Sequence, residues 1–155
     1  MASEQLGAQD VFRFLRPEQI NAISSVAVTA TFGAGEAVYT EGAKAKYVHV
    51  ILQGQVALHL PAKEGVSILV DHLGPGAMLG ASSIFDLDTY MLTAQCLTDC
   101  RLLRIETAVL RRMMEEDPRM GYAIQVRISE IFFKRYVDAL QKLQAILMKI
   151  PVEAR

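Results

Sequence analysis

The chain has 155 residues, 52% hydrophobic and 21% charged, with two cysteines and no tryptophan. That is ordinary single-domain size, with enough apolar material for a core that needs neither disulfides nor metal, so one domain over residues 1–155 is expected. Sixteen Lys and Arg against seventeen Asp and Glu leave a net charge of −1, which lacks the basic footprint of non-specific nucleic-acid binding. No run approaches the roughly 18 apolar residues of a membrane span, and MASEQLGAQD has neither a basic start nor an apolar signal core. A soluble, cytoplasmic chain with no membrane partner follows as the expectation.

In chain order, Phe12, Leu15, Ile20 and Ile23 recur at helical spacing, and Pro17 is placed to open a helix, which predicts an N-terminal helix, in one or two pieces, over residues 12–27. From residue 28 to 106 the period becomes two, broken by frequent glycines. Val48, Val50 and Leu52 alternate with Tyr47, His49 and Ile51; after Gly54, Val56, Leu58 and Leu60 alternate with Gln55, Ala57 and His59. The alternation predicts a tight hairpin at Gln53-Gly54, with His49 and His59 facing solvent. Val66 to Leu73 and Tyr90 to Ile105 supply further strands, and Cys96 and Cys100 fit as small buried hydrophobes. About eight short antiparallel strands at this spacing predict a jelly-roll-like β-roll in an α+β domain.

Residues 107–150 turn helical. One helix stops at Asp117-Pro118, and Pro118 opens a second with no later Gly or Pro from Tyr122 to Ile150, longer than a small compact core needs. Val126, Phe133, Leu140 and Leu147 repeat every seven residues, and Ser129, Tyr136, Leu143 and Ile150 lie three after each. Phe132, Ala139 and Ile146 widen the stripe, so one edge is free to pack on the roll while the other pairs with a second copy in a parallel two-fold dimer. The stripe also fits a simpler role as cover for the chain's own core.

The segment GPGAMLGASSIFD, residues 74–86, carries the local chemistry. A Gly-rich turn leads to Gly80, Ala81, Ser82 and Ser83, which predicts a short helix over 81–86. Its exposed amides and hydroxyls fit one small anion, and equally serve as ordinary caps.

The ordered set FGAGEAVYTEGAKAKYVHVILQGQVALHL, LGPGAMLG and CLTDCRLLRI, followed by a helix and a long terminal helix, resembles the cyclic nucleotide-binding domain family from about Phe12 to Tyr136. The resemblance implies a non-catalytic regulatory module with a β-roll pocket for cyclic AMP or cyclic GMP, and no other cofactor. It also implies a glutamate after the cassette glycine, for the ribose, and an arginine on the next strand, for the phosphate. Ala81 stands in the first place and Tyr90 in the second, with Met91 and Leu92 following. The remaining candidates are Gly80, Ala81, Ser82, Ser83, Tyr90 and Met91, with Arg135 and Tyr136 of the long helix placed to meet a base. Losing both charged partners weakens nucleotide binding by about two to four decades, so a weakened or altered ligand is expected.

Two alternatives share the pattern. A catabolite-activator-type transcription regulator places the same sensor and dimer helix before a DNA-binding segment; this chain as given ends soon after the helix, so no nucleic-acid partner is expected. A cupin-like metal enzyme needs clustered ligands, but His49, His59 and His72, the three histidines, are dispersed.

Overall fold

The structure is a computed structural model that describes residues 11–149. Helix α1 (Pro17–Ser24) leads into strands β1 (Val28–Phe32), β2 (Ala37–Tyr39), β3 (Tyr47–Gln53), β4 (Val56–Pro61), β5 (Ser67–Leu73) and β6 (Met78–Leu79). One 3-10 turn (Lys63–Gly65) joins β4 to β5, and a second (Ser82–Phe85) precedes β7 (Thr93–Cys96), β8 (Cys100–Glu106) and helices α2 (Thr107–Glu116) and α3 (Pro118–Leu147). The strands form two four-stranded antiparallel sheets, ordered β1-β8-β3-β6 and β2-β7-β4-β5, which is the expected β-roll flanked by helices.

The β3–β8 pair is buried on both faces. Val48, Val50, Leu103 and Ile105 point outward against Ile23 of α1, Leu110 of α2 and Ile124 and Ile128 of α3. Ile51, Leu79 and Leu102 point inward against Val56, Leu58, Ala94 and Cys96 of the second sheet. Strict alternation of apolar and polar residues describes a strand with one wet face, whereas β3 has none. His49 is therefore 3% exposed, not solvent-facing as its place opposite the valines predicts. His59, on β4, is half-buried.

The predicted hairpin at Gln53-Gly54 is also corrected. β3 pairs with β6 and β8, while β4 pairs with β5 and β7, so residues 53–55 turn a corner from one sheet to the other. The alternation misleads because both strands turn apolar residues to the same interior without sharing a ladder. Gly54 takes φ +100°, and a Cβ there would lie 2.5 Å from both the Asp99 carbonyl oxygen and Cys100 Sγ.

The N-terminal helix is shorter than predicted: residues 11–14 form turns and regular helix begins at Pro17. Gln19 secures it, its Oε1 accepting from the Arg16 N–H at 3.0 Å and its Nε2 donating to Asp117 Oδ2 at 3.0 Å. Asp117 in turn caps α3 by accepting from the Met120 N–H at 3.2 Å. The Gln19 amide and the Met120 N–H hold its carboxyl below the usual carboxylate range.

α3 has 30 residues and spans about 45 Å. Its first half supplies Met120, Ile124 and Ile128 to the core, while Phe133, Tyr136, Leu140, Leu143 and Leu147 are exposed and Val126 is half-buried. The heptad stripe is thus distinct from the stripe that covers the core. Its last expected position, Ile150, lies outside the described residues.

Gly54→Ala should lower stability by at least about 1 kcal/mol more than Gly35→Ala. Gly35 also has positive φ, but nothing lies within 4 Å of the added carbon. Urea unfolding of the two variants measures the difference, and equal losses would show that the corner relaxes around a methyl group.

Candidate ligand-binding site

A cavity of about 430 Å³ lies between the roll, the 3-10 turn and α3. β2, β4 and β6 contribute Tyr39, Leu58 and Leu79; the turn region contributes Gly80, Ala81, Ser82 and Phe85. Leu87, Met91 and Leu92 form the far wall, and Phe132 and Arg135 close it from α3. Phe85 and Phe132 meet edge to face, with ring centroids 6.2 Å apart at 75°, so the turn and the helix touch at the cavity's rim.

Arg135 joins the two parts. Its Nη2 donates to the Met78 carbonyl oxygen at 2.6 Å, its guanidinium lies 4.9 Å from the Phe132 ring centroid, and its Nε is 3.9 Å from Asp71 Oδ2. Burial lowers its pKa, opposed by the neighbouring Asp71 and Tyr39. Tyr39 responds in the opposite sense: burial, then Tyr90, push its phenol up, while Arg135 and a backbone hydrogen bond to Gly80 oppose the rise.

The wall expected to hold a cyclic phosphate is filled by aromatic rings. Tyr90 is 5% exposed and stacks on Tyr39 with centroids 3.9 Å apart at 13°. Its hydroxyl donates to the Tyr47 carbonyl oxygen at 2.8 Å and lies 3.2 Å from the Tyr47 nitrogen, whose N–H it accepts. Tyr90 is therefore behind the cavity wall with its polar atom committed, rather than in the lining. Gly80, at φ +77°, lets the chain pass this stack, since a Cβ there would meet both rings at 3.1 Å and the Tyr47 carbonyl at 3.2 Å.

The other sequence candidates divide. Gly80, Ala81, Ser82, Met91 and Arg135 line the cavity. Ser83 instead lines a neighbouring cleft with Lys46, Thr107 and Arg111, where Arg111 Nη1 donates to the Ser83 carbonyl at 3.4 Å and to Asp86 Oδ1 at 2.6 Å. The predicted helix over 81–86 shrinks to Ser82–Phe85, ended by Asp86 in a left-handed conformation at φ 62°. Tyr136 is 58% exposed on the heptad stripe, one residue around the helix from Arg135, and tilts against Phe133. Sequence reasoning missed Tyr39, Phe85 and Phe132; the Phe132-x-x-Arg135 spacing, which sets both on one helical face, was the signal available.

The residues do not fit a cyclic nucleotide held in the usual way. Ala81 offers the ribose no carboxylate and is 2% exposed; Tyr90 offers the phosphate no cation; Met91 and Leu92 are apolar. Metal chemistry finds no cluster either: among the described residues no three His, Cys, Asp or Glu side chains converge. Cys96 and Cys100 are both buried, and burial pushes the Cys96 thiol up to about 12. No helix among the described residues is long and apolar enough to cross a membrane.

Roll, turn and closing helix together enclose one cavity, and comparison with known proteins gives the family. Residues 29–117 match the model of the cyclic nucleotide-binding domain, and the chain belongs to that family. A CRP-like cAMP-activated global transcriptional regulator of Mycobacterium tuberculosis is 26% identical over 118 residues, covering 76% of this chain and 53% of its own length. The chain thus spans about half the length of the curated relatives it matches. Among solved structures, a cyclic nucleotide-binding-like protein from Brucella abortus is 26% identical with a TM-score of 0.62, covering 74% of this chain and 97% of that one. A cyclic nucleotide-binding domain from Methylobacillus flagellatus is 18% identical with a TM-score of 0.80, covering 99% and 85%, and shares the fold.

His49 lies behind the cavity between Tyr39 and Tyr47, with ring centroids 5.8 and 6.3 Å away, and opposite Arg104 in the β3–β8 register. Burial, and secondarily the Arg104 charge, lower its pKa to about 4. The folded state therefore favours neutral imidazole: His49's contribution is fully present above pH ~6.5, falls as the unfolded chain takes up a proton, and flattens below about 4, a loss of about 3 kcal/mol in all. Thermal unfolding from pH 7 to 4.5 should show this slope, and His49→Gln should flatten it. An unchanged slope in the variant would remove His49 as its source.

Proposed function

We propose that the chain is a non-catalytic, ligand-responsive regulatory module in which occupancy of the roll cavity is read by α3, and that α3 joins two copies through its exposed stripe. One observation carries the reading: the helix that closes the cavity with Phe132 and Arg135 also presents Phe133, Tyr136, Leu140, Leu143 and Leu147 to solvent. Closure and pairing use adjacent faces of one rigid rod, so a change in one face's packing reorients the other. The ligand differs from the family's, because the lining lacks both charged partners of a cyclic nucleotide.

A second reading is favoured by the alignment with the CRP-like regulator. In it, the module is the sensory and dimerisation half of a longer transcription regulator, and α3 passes the cavity's state to a DNA-binding segment.

Two measurements test the module. Sedimentation of the full chain should give twice the monomer mass, and Leu140→Asp, which places a charge at the centre of the stripe, should reduce it to the monomer. A monomeric parent would remove the pairing claim. For coupling, Met91→Cys at the cavity's exposed edge can be labelled with N-phenylmaleimide, since both native thiols are buried. Amides 131–136 should then change their hydrogen exchange by at least about threefold, and unchanged exchange would sink the claim that α3 reads the cavity.

A further inference from the structure

The cavity's lining separates into a broad apolar wall and one cation. Leu58, Leu79, Phe85, Met91, Leu92 and Phe132 make the wall, and Arg135 is the charged side chain among the lining residues. Arg135's side chain is only 19% exposed. Of the five N–H donors of a guanidinium, one is engaged, by the neutral Met78 carbonyl. Asp71, at 3.9 Å from Nε, is beyond hydrogen-bond distance, and its own side chain is 30% exposed, so its pull is partly screened by solvent. A cation taken largely out of water with one carbonyl hydrogen bond, the Phe132 ring at 4.9 Å and a partly exposed carboxylate that it does not hydrogen-bond keeps most of its donors unengaged, and an anion beside it recovers the missing interaction.

We infer that the cavity takes a small apolar molecule with a single carboxylate head, the head at Arg135 and the hydrocarbon or aromatic body against the Leu79–Leu92 wall. This rests on the reading that the cavity is the module's sensing site and names the class of ligand it senses. A cyclic nucleotide brings a diester phosphate, sugar oxygens and ring nitrogens. Against the side chains of Ala81, Met91 and Leu92 these find no partner, and a polar group buried unpaired costs affinity. A monocarboxylate brings one polar group, which the cavity's one cation satisfies, and the rest of the molecule gains by leaving water. The committed Tyr90 hydroxyl is consistent with this: the stacked tyrosines stabilise the site as an apolar floor rather than serve as donors.

Calorimetry on the full chain with decanoate below its micelle threshold, decanol and cyclic AMP tests the inference. Decanoate should bind saturably at one per chain, with decanol and cyclic AMP at least tenfold weaker. Arg135→Gln should lose at least tenfold in decanoate affinity with decanol unchanged, and Arg135→Lys should retain most of it. Because Arg135 also holds Met78, a second variant is needed that spares that bond. Met91→Asp, at an exposed lining position, should weaken decanoate by at least tenfold while the melting temperature stays near the parent's. Equal affinity for decanoate and decanol, decanoate binding that survives both Arg135→Gln and Met91→Asp, or binding of neither probe would overturn the inference. Tighter binding of cyclic AMP than of decanoate would also overturn it, yet leave the sensing role standing. Decanoate binding with no change in exchange at residues 131–136 would support the ligand class and overturn the coupling.

Discussion

The structure depends on a strand pair that is dry on both sides. β3 and β8 lie at the centre of their sheet, and their apolar side chains belong either to the helical layer or to the roll's interior. This makes the pair the central layer between the helices and the second sheet. It also imposes a chemical cost at the middle of the pair, where His49 Nδ1 and Arg104 Nε are buried without hydrogen-bond partners, whereas Gln53, Arg101 and Glu106 at its ends reach solvent. The Arg104 guanidinium, 4.8 Å from the Tyr47 ring centroid, finds a cation–π partner instead. The polar residues nearest the cavity are thereby fixed by the packing of the core rather than by solvent.

The same constraint ties the chemistry of the pocket to the packing behind it. Gly80 and the Tyr39–Tyr90 stack form a unit in which each part requires the others: two rings at van der Waals separation, a glycine beside both, and a hydroxyl anchored to β3 at Tyr47. An arginine in place of Tyr90 would lose the stack and leave the Tyr47 carbonyl without its donor. Placing an arginine here therefore takes repacking of Tyr39 and Gly80 as well as a new charge, since residues sharing contacts do not contribute independently.

Much of this architecture was legible in the sequence, and the misses share one cause. Periodicity located the helices, the strands and the Asp117-Pro118 break, because those patterns record which residues are hidden within a single element. It failed at Gln53-Gly54 and at His49, where burial comes from two different neighbouring layers that sequence order does not reveal. At the site, the motif around Gly80 and the absence of charge at 81 and 90 are readable, and Arg135 lies on the helix face that lines the cavity. Tyr39 is distant in sequence and makes no local pattern with the cassette, while Phe132 shares a helical face with Arg135 through its three-residue spacing but reads equally as part of the apolar stripe. Ser83 was grouped with Ser82 because adjacent residues look equivalent in a motif, whereas a one-residue step around a 3-10 turn rotates a side chain by about a third of a circle.

The position of Arg135 along α3 has a mechanical consequence. Residues 118–131 are held by the core through Met120, Ile124 and Ile128, and from Arg135 to Leu147 the helix runs a further 18 Å or so. Beyond Arg135, an exposed hydrogen bond from Lys142 Nζ to the Val70 carbonyl oxygen at 3.2 Å ties this arm to the roll. With a fulcrum at the cavity's edge, a tilt of about 5° moves the far end by about 1.6 Å for a helix of this rise. The helix is then a lever whose packed arm, about 26 Å from Pro118 to Arg135, is the longer one and whose distal arm is tied to the roll by one exposed hydrogen bond, so a displacement too small to disturb the roll is large enough to change the register of whatever the distal arm meets.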